Sequence, residues 1–198
     1  PAIVGMPAMI DRVTHLDLTT MLDGNVLSIT ETFLDQAPTP PPNSVHVDLT
    51  MLPVEFAGQL DPTDPLPTFV PLPLIEGVTT THNGLSTTGT ALLDTGAQLS
   101  IISTQTALAM NIDPVADAVD YIVVGGIGGA IEVPLVEVSQ LTLPTAEGVA
   151  LGYTDLVVAV IDIPGIGSIF GMDLLTSGYF TPFFDLLSGL PVQDYGYY

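Results

Sequence analysis

Ala91-Leu92-Leu93-Asp94-Thr95-Gly96-Ala97 ends an apolar run on an acidic residue, and a glycine follows two positions later. A second apolar run, residues 99–102, resumes after this break. Gly96 permits a tight turn that presents the carboxylate of Asp94 between two strands. Such a turn is also an ordinary way to end a strand, so its meaning depends on the rest of the chain.

Two further motifs follow Asp94 along the chain. The first is the glycine-rich stretch Gly125-Gly126-Ile127-Gly128-Gly129, which lies between β-forming residues and predicts a hairpin tip able to lay backbone amides on a ligand. A glycine-rich hairpin that binds nothing is the alternative. The second motif is Ile169-Phe170-Gly171, which precedes Met172-Asp173-Leu174-Leu175. We expect a short helix or turn there, with Asp173 in a structural role as a capping carboxylate.

In this order and spacing the three motifs resemble those of the retropepsin family of aspartic peptidases. The resemblance covers about residues 75–185 and implies an all-β fold, an aspartic-protease β-barrel lobe with one or two short helices. It implies that Asp94 is catalytic, that Thr95 and Gly96 support it, and that the glycine-rich hairpin is a flap. It also implies that a structural strand, formed by Ile169, Phe170 and Gly171, passes under the Asp turn. The residues expected to contact substrate are Ala97, Gly125, Gly126, Ile127, Gly128 and Gly129.

The chemistry of this family needs two aspartates that share a proton, one as the general base for a water molecule and one as the acid. No metal or cofactor takes part, and we expect none here. The sequence contains one Asp-Thr-Gly, at Asp94. A peptide-hydrolysing site therefore requires a second aspartate from another lobe or from another copy of the chain.

The start of the chain bears on the source of that aspartate. Ile3-Val4-Gly5-Met6 matches Ile169-Phe170-Gly171-Met172 in register. Lobes of pepsin-like enzymes end in such an element, so the resemblance implies that residues 1–36 are the end of a preceding lobe. A chance match in an apolar chain is the alternative. Two rival hypotheses also remain: a homodimer that joins two copies of Asp94, and a catalytically inactive module with a structural or binding role in an exported or cell-surface assembly.

The remaining domain organisation follows from proline and turn signals. Residues 37–74 are rich in proline, which lacks the amide donor of a β-ladder, and predict an extended connector with at most short edge strands. Residues 75–185 form the expected lobe, and 186–198 a tail. Within the lobe, Asn83-Gly84 predicts a hairpin turn that leads straight to Asp94. Ser103 predicts the start of one short helix that ends before Pro114.

Composition excludes several classes of function. The chain has 198 residues, 22 of them acidic and one basic, Arg12, for a formal charge of −21. Binding to nucleic acid or to an anionic membrane through phosphate contacts is therefore not expected. There is no cysteine, and His15, His46 and His82 share no ligand spacing, so we expect no metal site.

The expected location follows from composition and from the first residue. No apolar run reaches the roughly 18 residues that span a bilayer. The absence of lysine, the abundance of threonine, proline and glycine, and a first residue, Pro1, that is not methionine favour a processed, exported protein. We therefore expect an extracellular or cell-surface location, with peptide as substrate.

Overall fold

The structure is a computed structural model that describes residues 13–17, 30–34, 39, 44–55, 69–126 and 129–175. The described residues fall into two compact units. The second unit comprises Val45–Thr50 and Pro73–Leu175, and the other described residues belong to the first.

The first unit contains a two-stranded antiparallel sheet of β1 (Val13–Asp17) and β2 (Thr30–Leu34), paired from Val13↔Leu34 to Asp17↔Thr30. Strand β3 (Thr50–Glu55) follows in the proline-rich region. The repeat at Ile3-Val4-Gly5 and the tail 186–198 lie outside the described residues. The preceding lobe and the domain boundaries at 36, 74 and 185 stay predictions.

The second unit is built almost entirely of β-strands, as the sequence predicts. Its regular elements in chain order are β4 (Phe69–His82, which enters this unit at Pro73), β5 (Leu85–Leu93), β6 (Ile101–Ile102), α1 (Thr104–Ala109), β7 (Asp120–Gly126), β8 (Gly129–Pro144), β9 (Ala150–Val160), β10 (Ser168–Phe170) and α2 (Met172–Leu175).

Six of these strands close into a ring. They are hydrogen-bonded in the order β4-β5-β10-β6-β9-β8, and β8 pairs again with β4, from Thr79↔Thr142 to Thr81↔Gln140. Strand β8 is long enough to pair first with β7 and then, further along the same edge, with β4. The hairpin of β7 and β8 therefore extends from a closed barrel.

The predicted β4–β5 hairpin is confirmed. Asn83 and Gly84 both have positive φ, 49° and 81°, which a tight turn between twisted strands requires. His82 pairs with Leu85 across the turn. Strand β5 then runs to Leu93, so that Asp94 is the first residue after the strand, as the sequence predicts.

The predicted helix is also confirmed as α1. Ser103 is its N-cap, and the backbone N–H of Thr106 donates to the Ser103 hydroxyl at 3.1 Å. The helix buries Ala107 in a cluster with Met110, Val136 and Val138. It thereby covers one face of β8.

The main core lies inside the ring of strands. Phe170 of β10 is 2% exposed and packs there with Ile75, Val78 and Leu141. The ring of Tyr153 meets that of Phe170 edge-on, with centroids 5.5 Å apart. The strand next to Asp94 is therefore anchored in the centre of the barrel. Among the described residues, no helix is long and apolar enough to cross a membrane.

Candidate active site

Asp94 lies in a tight turn at the end of β5 and is half-buried. The backbone N–H of Gly96 donates to Asp94 Oδ1 at 2.8 Å, and the N–H of Ala97 donates to the Asp94 carbonyl oxygen at 3.2 Å. A Cβ added to Gly96 would lie 3.1 Å from that same Oδ1. The turn thus fixes the carboxylate at a position where glycine leaves room for it.

Strand β10 holds this turn from one side. It pairs parallel to β5, with Phe170 opposite Leu93, and antiparallel to β6, with Ile169 opposite Ile101. The N–H of Asp94 donates to the carbonyl oxygen of Phe170 at 3.0 Å. The segment that enters the Asp turn is therefore tied to the strand beneath it.

The segment that leaves the turn is tied to the same strand. The N–H of Met172 donates to the carbonyl oxygen of Ala97 at 2.9 Å. Gly171 passes so close to the chain that an added Cβ would lie 2.8 Å from both the carbonyl carbon and the oxygen of Leu99. Only glycine permits this approach without a shift of backbone.

A buried serine connects these segments to α2. Ser100, 1% exposed, accepts a hydrogen bond from the N–H of Gly171 at 2.9 Å and donates its hydroxyl to Asp173 Oδ1 at 2.7 Å. The N–H of Ser100 donates to Asp173 Oδ2 at 2.9 Å. Burial raises the pKa of Asp173, and the hydrogen bonds from Ser100 oppose that rise.

This link to Ser100 was missed by the sequence analysis, which assigned Asp173 only a capping role. The carboxylate does belong to the first turn of α2. The signal available in the sequence was a small hydroxyl residue inside an otherwise apolar run, at Ser100.

The described glycines of the glycine-rich motif lie where β7 ends and β8 begins. Gly125 pairs with Ala130 and Gly126 with Gly129, whose φ of 118° favours glycine. Ile127 and Gly128, between the strands, lie outside the described residues.

The hairpin has one face turned toward the segment that follows the Asp turn. On this inner face Ile122 and Val124 pack against a buried cluster that contains Val133 and Leu135, and Leu99 packs against the same cluster. An apolar surface thus connects the hairpin to the chain five residues beyond Asp94.

The surroundings of Asp94 carry no basic side chain in the described part of the chain, which contains neither lysine nor arginine. Thr95 is exposed and Ala97 is half-buried. The described residues include no group of histidine, cysteine, aspartate and glutamate side chains that could hold a metal ion. The site as described offers one carboxylate in a rigid turn, beside a hairpin.

A family model described as aspartyl protease matches residues 78–174, just under half of the chain. The matched residues include the Asp94 turn, the β7–β8 hairpin and β10. None of the curated proteins matches the chain. Residues 78–174 are therefore similar to an aspartyl protease domain of the retropepsin-like clan.

Proposed function

We propose that this chain is an aspartic endopeptidase in which Asp94 supplies one half of a two-aspartate dyad. One observation carries the proposal: the Asp94 carboxylate is half-buried in a turn that is hydrogen-bonded on both sides to residues 170 and 172. Such fixed geometry is what general acid–base catalysis requires of a carboxylate.

The second aspartate comes from another lobe or from a second copy of the chain, because the sequence holds one Asp-Thr-Gly. Domains of this family pair as lobes or dimers. The exposed hydroxyl of Thr95 and the exposed Gly96 are available to contact the matching turn. A partner lobe or copy would complete the site there.

The dyad would work with a single shared proton, since two carboxylates at hydrogen-bond distance do not both ionise. The ionised aspartate removes a proton from water as the water oxygen attacks the scissile carbonyl carbon. The protonated aspartate gives its proton to the carbonyl oxygen, which forms a neutral gem-diol. The aspartate that took the proton from water then gives it to the amide nitrogen, and the other aspartate removes a proton from a gem-diol hydroxyl. The C=O bond re-forms as the C–N bond breaks, which returns the dyad to one shared proton.

The substrate would be an extended peptide between the dyad and the hairpin. Ala97 leaves room for its backbone, and the backbone amides of Gly125, Gly126 and Gly129 would bind it as an added strand. The contacts of Ile127 and Gly128 with substrate stay predictions from the sequence. The inner hairpin face, with Ile122 and Val124, favours apolar substrate side chains. We further propose export to the cell surface, consistent with a chain that has no lysine.

The test is hydrolysis of an unfolded, fluorescence-quenched protein substrate across acidic to neutral pH. Asp94→Asn should reduce the rate to background, and it should fold normally because the Asn oxygen can still accept from the N–H of Gly96. Asp48→Asn, at an exposed carboxylate of the same unit, is the control and should keep full activity. Equal activity of the Asp94→Asn variant and the control would refute the proposal.

The source of the second aspartate requires a separate measurement. Native mass and sedimentation distinguish a homodimer from a chain paired with another lobe. For a homodimer, mixing wild type with an excess of Asp94→Asn should reduce activity below that of wild type alone, because mixed pairs hold one aspartate. A complete assembly with two aspartates and no hydrolysis would favour the inactive module.

A further inference from the structure

The fixed charge of this chain is almost entirely of one sign. The sequence has 22 acidic residues and one basic residue, Arg12, and its formal charge is −21. The part of the chain that the structure describes contains neither lysine nor arginine. Its histidines are largely neutral near pH 7. The described residues therefore produce a negative potential that no fixed positive charge among them offsets.

This charge is spread over the barrel and does not come from a single cluster. Exposed carboxylates lie on strands, on loops and at strand ends. Because they surround the barrel, their potentials add at any point near its surface. Among those of the second unit are Glu76, Asp113, Glu137, Asp155 and Asp162.

Two further exposed carboxylates lie on the β7–β8 hairpin, where substrate is proposed to bind. Asp120 begins β7, and Glu132 lies opposite Val123 on β8. Glu132 is three residues from Gly129, so at about 3.3 Å per residue their backbones are about 10 Å apart. The Debye length at 0.1 M salt is also about 10 Å. The charge of Glu132 therefore reaches a peptide bound at the amide of Gly129, unless the salt concentration is high.

The need for a second aspartate leaves this charge in place. If a second copy of the chain completes the dyad, the negative charge of the assembly doubles. If another lobe completes it, the hairpin of this lobe still brings Glu132 and Asp120 to one side of the bound peptide. In both arrangements an acidic peptide is repelled and a basic peptide is attracted.

The apolar residues of the hairpin do not provide this discrimination. Ile122 and Val124 of the inner face select side chains that contact them directly, and they carry no charge. Charge acts on parts of the substrate that extend beyond these contacts, since its range is about a Debye length. Apolar residues at the scissile bond and charged residues on either side of it are thus selected separately.

We propose that this site selects basic substrates, in which lysine or arginine flanks the apolar residues at the scissile bond. The inference rests on the proposed peptidase function and deepens it by naming the substrate class. Selection acts on the encounter with substrate, through the summed charge, and requires no individual ion pair. It therefore raises kcat/KM for basic substrates and leaves kcat nearly unchanged.

The experiment uses the assembled peptidase and three fluorescence-quenched peptides with the same apolar scissile pair. Lysine, serine or glutamate flanks that pair on both sides. Above about pH 5, where exposed carboxylates are ionised, kcat and KM are measured at low salt and at about 1 M salt. At low salt, kcat/KM should be about tenfold or more higher for the lysine peptide than for the serine peptide, and lowest for the glutamate peptide. At about 1 M salt the Debye length is about 3 Å, and the three values should agree within about threefold.

Glu132→Gln tests the contribution of the hairpin. It should reduce the lysine-to-serine ratio of kcat/KM by about twofold at low salt, because it removes the charge about 10 Å from the bound peptide. The matched control is Glu137→Gln, at an exposed carboxylate of the same strand. Glu137 is eight residues from Gly129, or about 26 Å along β8, and its removal should leave the ratio nearly unchanged.

Failure of this inference is distinguishable from failure of the proposed function. No hydrolysis of any of the three peptides by an assembly with two aspartates would refute the peptidase function and the inference together. Hydrolysis of the serine peptide with an equal kcat/KM for the lysine peptide at low salt would overturn the inference alone. So would a lysine-to-serine ratio that salt does not lower, equal effects of Glu132→Gln and Glu137→Gln, or activity confined to a pH below about 4, where exposed carboxylates are largely neutral.

Discussion

Ser100 and Asp173 are joined by two hydrogen bonds, from the Ser100 hydroxyl to Oδ1 at 2.7 Å and from the Ser100 N–H to Oδ2 at 2.9 Å. The same hydroxyl accepts from the N–H of Gly171. One side chain thus connects the strand after the Asp turn, the end of β10 and the start of α2. The rigidity of the Asp94 turn depends on this connection as well as on the turn itself.

Ser100→Ala should destabilise the domain by about 1–3 kcal/mol, because it leaves the N–H of Gly171 buried without its acceptor and removes one donor from Asp173. Urea unfolding measures the change. Ser86→Ala, at an exposed serine of β5, is the control and should stay within about 0.5 kcal/mol of wild type. Equal unfolding midpoints for the two variants would contradict the role of Ser100.

The raised pKa of Asp173 predicts how the stability of the folded domain changes with pH. Burial raises it, so the folded domain binds a proton at this carboxyl more readily than the unfolded chain does. This contribution to stability is present below the unfolded pKa and is lost as pH rises through the folded pKa. Wild type should therefore lose stability relative to Asp173→Asn as pH rises from about 3 to 7.

The free energy of unfolding of both proteins, measured by urea titration across that range, gives the difference directly. The hydrogen bonds from Ser100 act in the opposite direction to burial. If wild type instead gains stability relative to Asp173→Asn as pH rises, these hydrogen bonds have a larger effect on the pKa of Asp173 than burial has.

The all-β fold was predicted correctly from the resemblance that the three motifs carry, and the other features that were predicted correctly are local. Asn83 and Gly84 determine their own turn, Ser103 caps the helix that begins beside it, and the end of the apolar run marks where β5 stops before Asp94. Each depends on the chemistry of a few consecutive residues, so a single sequence suffices.

The features that were not predicted from the sequence depend on residues far apart in the chain. Ser100 meets Asp173, and His46 meets Glu147, only after the barrel has closed. The double pairing of β8 with β7 and β4 likewise depends on closure. No periodic pattern in one sequence identifies which distant partner a buried hydroxyl or a surface carboxylate will find.

Hydrogen bonds from His46 to Glu147 should hold residues 45–50 against the barrel, and their strength should depend on pH. The Glu147 carboxylate accepts from the backbone N–H of His46 at 3.0 Å and bonds the His46 ring, and these bonds lower the pKa of Glu147 to about 2. The attachment is therefore present above the ordinary carboxyl pKa of 4.5 and is lost as pH falls toward about 2.

Glu147→Gln should speed hydrogen exchange of the His46 amide near neutral pH, because a neutral amide oxygen is the weaker acceptor. The difference from wild type should shrink as acid protonates Glu147. Glu137→Gln, at an exposed carboxylate of β8, is the control and should leave that amide unchanged. A difference that persists unchanged into acid would show that charge on Glu147 is not the cause.

Gly171→Ala should damage both stability and activity. The added Cβ would lie 2.8 Å from the backbone of Leu99, which has no flexible end to move aside, so strand and turn must separate. We expect a loss of about 1–3 kcal/mol or more in unfolding free energy. For the proposed peptidase we also expect a fall in kcat/KM as the Asp94 turn shifts. Gly89→Ala is the matched control, because an added Cβ there meets nothing within 4 Å. Wild-type stability in Gly171→Ala would mean that β10 can move away from Leu99, and the turn would then be held by the Asp94–Phe170 and Ala97–Met172 hydrogen bonds without close packing.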